Sequence, residues 1–280
     1  MNPLTIFARR FVAGERPQDA VRVGERLHAR GIRATFDELG EDVHEPAAAA
    51  RAAASSCELL RLVPAGIERN ISIKMSSMGQ EVSRDLAIEN VSRVLDTARE
   101  VKGFVRLDME GSKLTESTIG IFQELRKSYD NVGIVLQAYL HRTPDDVREA
   151  IRRKDRVRLC KGAYREPPGV AIQDMADVRK AYAACAERLL SEGNYPAIAT
   201  HDEELVSGVI GYARAQAIPA ARFEFQMLYG LRPRRWDELV AGGFNMRVYV
   251  PFGPQWMPYF YRRLRERREN VLFVLRGLFR

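Results

Sequence analysis

Charged and polar side chains interrupt several short apolar stretches of the sequence, close to the C-terminal end of each stretch. Charges are rarely buried without partners, so a repeated series of them in apolar surroundings indicates a polar pocket rather than isolated core residues. The series contains cationic, acidic, amide, hydroxyl and imidazole groups, namely Lys74, Asp108, Gln137, Arg158, Lys161, Thr200, His201, Glu224, Gln226 and Tyr249.

A second group near the C-terminus could bind an anion. Tyr259, Arg262, Arg263 and Glu266 are separated by three- and four-residue steps, so they share one face of a helix. Two guanidinium groups on an inward face suit a carboxylate, because each offers a planar fork of donors. An exposed basic helix fits the spacing equally well, since Arg265 and the residues after it continue the basic run.

Lys74 and Lys161 permit a different chemistry. A lysine at the end of a strand can form a Schiff base with a carbonyl substrate, as in barrel aldolases and lyases. This alternative leaves the paired arginines near the C-terminus unexplained. It therefore stands second to a pocket that binds a carboxylate.

The cysteines and histidines do not indicate a metal site. Cys57, Cys160 and Cys185 are far apart, and the four histidines are dispersed without the spacing of metal ligands. We expect no metal and no disulfide framework, and the free cysteines favour a reducing compartment. Cys160 is interpreted as a small buried hydrophobic residue rather than a nucleophile.

The polar stretches alternate with amphipathic helical patterns, roughly every 30 residues, which is typical of βα units. Eight such units in 280 residues predict an α/β fold, a (β/α)8 TIM-like barrel whose chemistry lies at the C-terminal ends of its strands. A doubly wound sheet is the rival, but no Gly-rich phosphate turn follows the first strand. The predicted strands are Arg33–Glu38, Ile71–Ser76, Gly103–Met109, Val132–Ala138, Arg156–Gly162, Pro196–Thr200, Arg222–Gln226 and Arg247–Pro251.

The domain organisation is simple because no long linker or low-complexity segment is present. Residues 1–30 precede the first strand and are expected to form one or two short helices. Residues 31–280 are expected to form the catalytic barrel. Helix signals support these units, as in the Thr143-Pro144-Asp145-Asp146 stretch, which predicts an N-cap at Thr143 followed by proline at N1.

The net charge of +7 and a pI of about 9.4 favour acidic partners. A basic barrel that binds RNA or a protein partner is therefore an alternative, but no nucleic-acid module is recognisable, so no nucleic acid is expected. No apolar run is long enough to span a bilayer, and a cytoplasmic location is expected. The apolar and arginine-rich tail from Val271 to Arg280 suits either a cap docked on the barrel or peripheral contact with the inner face of a membrane.

An ordered set of motifs resembles the monofunctional, flavin-dependent proline dehydrogenases. The resemblance covers the chain from about residue 10 onward and implies a distorted (βα)8 barrel that binds FAD without a Rossmann motif. It implies oxidation of L-proline to Δ1-pyrroline-5-carboxylate, with electrons passed to a quinone. The motifs are ISIKMS (71–76), RLDME (106–110), RLCKGAY (158–164), ATHD (199–202), FEFQMLYG (223–230) and YFYRRLRE (259–266).

The resemblance also implies roles for single residues in binding L-proline. Arg262 and Arg263 would clamp the substrate carboxylate, with Lys74 adding positive charge and Glu266 bracing the arginines. Asp108 would lie beside Lys74 and order the pocket. The residues expected to pack on the pyrrolidine ring and limit its size are Leu228, Tyr249 and Tyr259.

For FAD, the resemblance places Arg158 near the flavin N5 and Gln137 at the edge of the flavin ring. The remaining contacts with FAD are expected from Lys161, Gly162, Ala163, Tyr164, Thr200, His201, Glu224 and Gln226. A cation near the flavin would favour the negative charge that arrives with a hydride.

Two departures distinguish this sequence from the bifunctional members of the family. Those members carry Trp after the Gly-Ala-Tyr motif, whereas Arg165 stands here. No aldehyde dehydrogenase domain follows the barrel before Arg280, so the second oxidation is expected to belong to a separate pyrroline-5-carboxylate dehydrogenase.

Overall fold

A computed structural model describes residues 10–40, 43–257 and 259. Eight parallel strands form a closed barrel in which each strand pairs with its neighbours in sequence and β1 pairs with β8. The strands are β1 Arg33–Glu38, β2 Asn70–Lys74, β3 Phe104–Asp108, β4 Val132–Gln137, β5 Arg156–Cys160, β6 Ala197–Ala199, β7 Glu224–Leu228 and β8 Asn245–Phe252. This confirms the predicted fold class.

Helices surround the barrel, and one follows each of the first seven strands. Their apolar faces are buried against the strands, as in α3, where Val91, Val94 and Leu95 are fully buried and Ser83 caps the first turn by accepting from Leu86 N. The helices are α1 Pro17–His28, α2 Pro46–Leu62, α3 Arg84–Glu100, α4 Ser112–Leu125, α5 Thr143–Arg152, α6 Met175–Glu192, α7 Glu203–Ala215 and α8 Pro233–Ala241.

Helix α1 precedes the barrel in sequence and packs against β1 and β8, where the barrel closes. It approaches β1 closely at Gly24, where an added Cβ would lie 2.6 Å from the ring of Phe36. A helix before the first strand agrees with the expectation for residues 1–30, although the exact domain boundary stays a prediction. None of the helices in the described ranges has both the length and the apolar composition needed to cross a membrane.

All eight strands occur in the predicted order, although the bounds of seven differ from the predicted ones by one or two residues, and one predicted helix start was wrong. Strand β7 begins two residues later than predicted, because Ala220–Arg222 forms a 3-10 turn before it. The N-cap of α5 is Arg142 rather than Thr143. The Thr143 hydroxyl donates to the Gln137 carbonyl at 2.5 Å instead of capping the helix, so it ties the helix start to the end of β4.

The interior of the barrel contains several buried polar and charged side chains. At its N-terminal end, Arg247 binds Glu224 at 2.8 Å and Glu68 at 2.8 Å and also donates to the Ala34 carbonyl. Glu224 and Arg247 are both 1% exposed, so each charge depends on the other for compensation. This basal ion network lies at the start of β7 and β8, at the end of the barrel away from the strand carboxyl ends.

Candidate active site

A cavity of about 800 Å³ opens at the C-terminal ends of the strands, where barrel enzymes place their chemistry. Residues from all eight strands and from the loops after them line it. The predicted site residues among them are Lys74, Asp108, Gln137, Arg158, Lys161, Gly162, Ala163, Tyr164, Thr200, His201, Gln226, Leu228, Tyr249 and Tyr259. The structure thus brings together residues that are far apart in the sequence.

Lys74, at the end of β2, forms an ion pair with Asp37 near the end of β1. The Nζ atom lies 2.8 Å and 3.0 Å from the two carboxylate oxygens, and both side chains line the cavity. Burial raises the pKa of Asp37, and the nearby charge of Lys74 opposes this effect. The pair therefore places a compensated positive charge at the wall of the cavity.

Asp108, on β3, is opposite Lys74 in the strand register but bonds to other partners. One oxygen accepts from Arg158 at 2.7 Å and the other from the Tyr249 hydroxyl at 2.7 Å. Burial and the nearby Asp108 raise the pKa of Tyr249 well above its ordinary value. Tyr249 is therefore a neutral donor whose hydroxyl proton is held toward Asp108.

Arg158, on β5, connects three parts of the cavity floor. Its guanidinium donates to Asp108, to Gln226 Oε1 at 2.5 Å and to Ser72 Oγ at 2.9 Å, and it lies 5.2 Å from the centre of the Tyr249 ring. Asp108 on β3 and Gln226 on β7 lie on strands that alternate with β5, as in the packed layers of a barrel, whereas Ser72 lies on β2. With 5% of its surface exposed, Arg158 is a buried cation held by hydrogen bonds on three sides.

The rim of the cavity carries a second charged group. Asp202 accepts from Lys161 and from Arg179, whose Nε lies 2.7 Å away, and its other oxygen accepts from the Glu204 amide at the start of α7. Burial raises the pKa of Asp202, but the hydrogen bonds from the two cations outweigh it and lower the pKa to about 2. Two cations are therefore fixed at the cavity mouth, where an anionic ligand would enter.

The loop after β5 turns sharply at Gly162, whose φ of +114° favours glycine. An added Cβ there would lie 2.2 Å from the ring of Tyr139, so no side chain fits. Ala163 and Tyr164 follow on the cavity wall. Close packing of this turn on Tyr139 shapes the wall next to Lys161.

Amide and imidazole groups complete the cavity wall. Gln137 donates to the Glu110 carbonyl at 2.9 Å, and His201 Nε2 accepts from the Leu228 amide at 2.8 Å. Because Nε2 accepts this hydrogen bond, the ring proton of His201 is on Nδ1. Thr200 accepts from the Asp202 amide at 3.1 Å and so joins the wall to the rim.

One described residue, Glu224, lies away from the cavity, and three further predicted residues are not described by the structure. Glu224 belongs to the basal ion network, where it accepts from Arg247 and Gln226, and it does not line the cavity. Arg262, Arg263 and Glu266 lie outside the described residues. The roles expected of these four residues stay predictions.

Asp37 was missed by the sequence reasoning, although a signal was present. It alternates with Thr35 on β1, and inward-facing positions of a strand repeat with a period of two. Cys160, interpreted as a small hydrophobic residue, lines the cavity. Burial raises the pKa of its thiol to about 12, so it stays protonated and does not act as a thiolate nucleophile.

The arrangement disfavours Schiff-base chemistry. An amine nucleophile must present a lone pair to its substrate. In the structure, the amines of Lys74 and Lys161 instead donate to Asp37 and Asp202. Both amines therefore lie in ion pairs with carboxylates.

Comparison with known proteins points to one family. A family model described as proline dehydrogenase matches residues 20–276. Proline dehydrogenase 1 of Bacillus subtilis (strain 168) is 37% identical over 272 residues, which cover 97% of this chain and 90% of that protein. Proline dehydrogenase of Deinococcus radiodurans is 39% identical over 277 residues, which cover 97% of this chain and 89% of that protein.

A solved structure shares the fold. The chain superposes on proline utilization A (PutA) from Bdellovibrio bacteriovorus, inactivated by N-propargylglycine, with a TM-score of 0.84 and 29% sequence identity. The match covers 92% of this chain and 32% of that longer chain. The similarity therefore concerns one part of the longer protein, and the barrel described above corresponds to that part.

Proposed function

Because the chain belongs to the proline dehydrogenase family, we propose that it oxidises L-proline to Δ1-pyrroline-5-carboxylate with a bound FAD. The observation that carries this proposal is the single cavity wall shared by Lys74, Asp108, Arg158, Tyr249 and Tyr259. These side chains come from parts of the chain that are far apart in the sequence. Their convergence supports a common role in one reaction.

The volume and the lining of the cavity support FAD as the cofactor. Its volume of about 800 Å³ is far more than one small amino acid fills, and it falls in the range of sites for larger ligands. The buried Arg158 and the amides of Gln137 and Gln226 would hold the polar edge of the flavin ring. Lys161 and Arg179, at the mouth, would attract the negatively charged diphosphate. When bound, FAD supplies the acceptor for a hydride.

Substrate recognition would rest on charge at one end of proline and on packing at the other. Lys74, kept in place by Asp37, would contribute positive charge to the carboxylate, together with Arg262 and Arg263. Leu228, Tyr249 and Tyr259 would enclose the apolar ring. Fixing both ends holds the carbon next to the ring nitrogen in one orientation, which lowers the entropic part of the barrier.

The polar residues would also control charge during the reaction. Hydride departure requires a neutral amine, because its lone pair must stabilise the cation that forms. The Tyr249 hydroxyl directs its proton at Asp108, so this proton would not be donated to the substrate amine. The fixed positive charge of Arg158 would stabilise the negative charge that the hydride carries from the substrate to the flavin.

The finer parts of the function concern partners. We infer that electrons pass from the cofactor to a quinone. Because quinones lie in membranes, this transfer would involve peripheral contact of the chain with a membrane. The product would be consumed by a separate pyrroline-5-carboxylate dehydrogenase. Location in the cytoplasm, at or near the inner face of the membrane, would allow both exchanges.

An absorption spectrum of the purified protein before and after anaerobic addition of L-proline tests this proposal. We expect flavin bands that bleach with L-proline and recover with a soluble quinone. Bands that ignore L-proline would refute the substrate. A colourless protein that fails to take up FAD would refute the cofactor, and trapping of a keto acid on Lys74 by borohydride would then favour the Schiff-base alternative.

A further inference from the structure

Residues 10–14, here called the crossing segment, run along the carboxyl end of β8, beside the mouth of the cavity. The Ala13 amide donates to the Pro251 carbonyl at 2.9 Å, and the Gly253 amide donates to the Gly14 carbonyl at 2.9 Å. These two backbone hydrogen bonds fix the position of the segment along the end of β8. The segment therefore extends the barrel rim at the end where the predicted substrate residues lie.

The crossing segment also contacts the loop that follows β7. An added Cβ at Gly230 would lie 1.8 Å from the Arg10 carbonyl oxygen and 3.3 Å from the Phe11 ring. Gly230 also has a φ of +79°. This glycine ends the 223–230 motif, two residues after Leu228 on the cavity wall. Its lack of a side chain is what allows the segment to pass.

The third contact lies behind Tyr259. Val12, Leu39 and Tyr259 form a small buried hydrophobic cluster, with Trp256 packed against it. Val12 is 3% exposed and Tyr259 is 7% exposed, while Tyr259 also lines the cavity. One part of the Tyr259 side chain therefore borders the cavity, and another is supported by the crossing segment.

We infer that Val12 is a positioning residue, which sets the size of the ring-binding end of the cavity through Tyr259. The crossing segment touches both Tyr259 and the loop after Leu228, two of the residues proposed to enclose the proline ring. Interiors are closely packed, so a methyl-sized gap behind Tyr259 would let its ring move. This inference rests on the proposed function, which supplies the substrate. The contact between Val12 and Tyr259 is independent of that proposal.

The variant Val12→Ala tests the inference, with Val23→Ala as the matched control. Val23 lies on α1, is 2% exposed and belongs to the main core rather than to the cluster behind Tyr259. We expect Val12→Ala to raise KM for L-proline by about five- to tenfold with little change in kcat. The reason is that contacts with the proline ring weaken equally in the bound substrate complex and in the transition state. Val12→Ile should restore KM. Equal KM values in the two alanine variants would overturn the inference.

A second pair of variants tests the same segment from the other side. Gly230→Ala and Gly243→Ala place a side chain at positive φ values of +79° and +80°, but nothing lies within 4 Å of the Cβ added at Gly243. Backbone strain is thus matched, and only Gly230→Ala displaces the crossing segment. A raised KM in Gly230→Ala alone supports the inference, whereas similar KM values contradict it.

Tryptophan fluorescence separates this inference from the proposed function. The chain has two tryptophans, so Trp236→Phe leaves Trp256 as the reporter of the cluster. In that background we expect Val12→Ala, but not Val23→Ala, to shift the emission maximum of Trp256. An unchanged emission would overturn the contact itself. A shift in a protein that ignores L-proline would support the contact and refute only the proposed substrate.

Discussion

Lys74 donates to both carboxylate oxygens of Asp37, at 2.8 Å and 3.0 Å, across the neighbouring strands β1 and β2. The two side chains are only 9% and 2% exposed, so the pair joins two buried opposite charges. Such a pair adds little net stability, but the loss of one member leaves the other uncompensated. The ion pair holds a cation at a defined point of the cavity wall.

Asp37→Asn should lower the free energy of unfolding by about 3–5 kcal/mol, because it leaves the Lys74 charge without its carboxylate. The double variant Asp37→Asn with Lys74→Met should regain much of that loss, since it removes both charges. Urea unfolding of the two single variants and the double variant measures the coupling. Additive losses would mean that the two side chains do not depend on each other.

Asp202 predicts a specific pH dependence of stability. Its pKa in the folded protein is lowered to about 2, below the ordinary 3.8, so its contribution is present above pH 3.8 and is lost as the pH falls toward 2. Since solvent at the rim screens part of the attraction, we expect about 1 kcal/mol. Denaturant unfolding between pH 5 and pH 2 should show a shallower loss in Asp202→Asn. Parallel curves for the two proteins would contradict the assignment.

Glu224 allows a direct test of the role in binding FAD that the resemblance implied. Because it compensates the buried Arg247 below the cavity, Glu224→Gln should lower the free energy of unfolding by about 3 kcal/mol. The affinity of the folded protein for FAD should change little. Flavin titration of the apoprotein under stabilising conditions measures this. A large drop in affinity without unfolding would show that Glu224 acts on the cofactor.

Gly162→Ala should weaken FAD binding by at least about tenfold, because the new methyl group would displace the Tyr139 ring and reshape the wall beside Lys161. Gly169→Ala is the control. It lies in the same loop region, and nothing lies within 4 Å of the added Cβ. Quenching of flavin fluorescence during titration gives both affinities. Equal affinities would mean that the turn at Gly162 does not shape the cofactor site.

The sequence by itself determined the eight strands, the helices after the first seven of them and most of the cavity residues. Apolar strands can be recognised in a sequence because side chains repeat with different periods in strands and in helices. Polar side chains at the ends of such strands indicate the site, because barrel chemistry lies at the carboxyl ends of the strands. Lys74, Asp108, Arg158 and Tyr249 were identified in this way, and the ordered motifs gave them roles. Asp37 carried the same signal, since it shares a face of β1 with Thr35, but its partner could not be predicted from the sequence.

Tertiary structure decided what each of these residues touches. Closure of the barrel brings Arg158 on β5 to Ser72 on β2 and to Gln226 on β7, contacts that no sequence spacing encodes. The late start of β7 places Glu224 at the base of the barrel rather than at the rim. Likewise, only the folded chain brings Val12 behind Tyr259. Local patterns specify strands and faces, whereas the register and closure of the barrel set distances between residues remote in sequence.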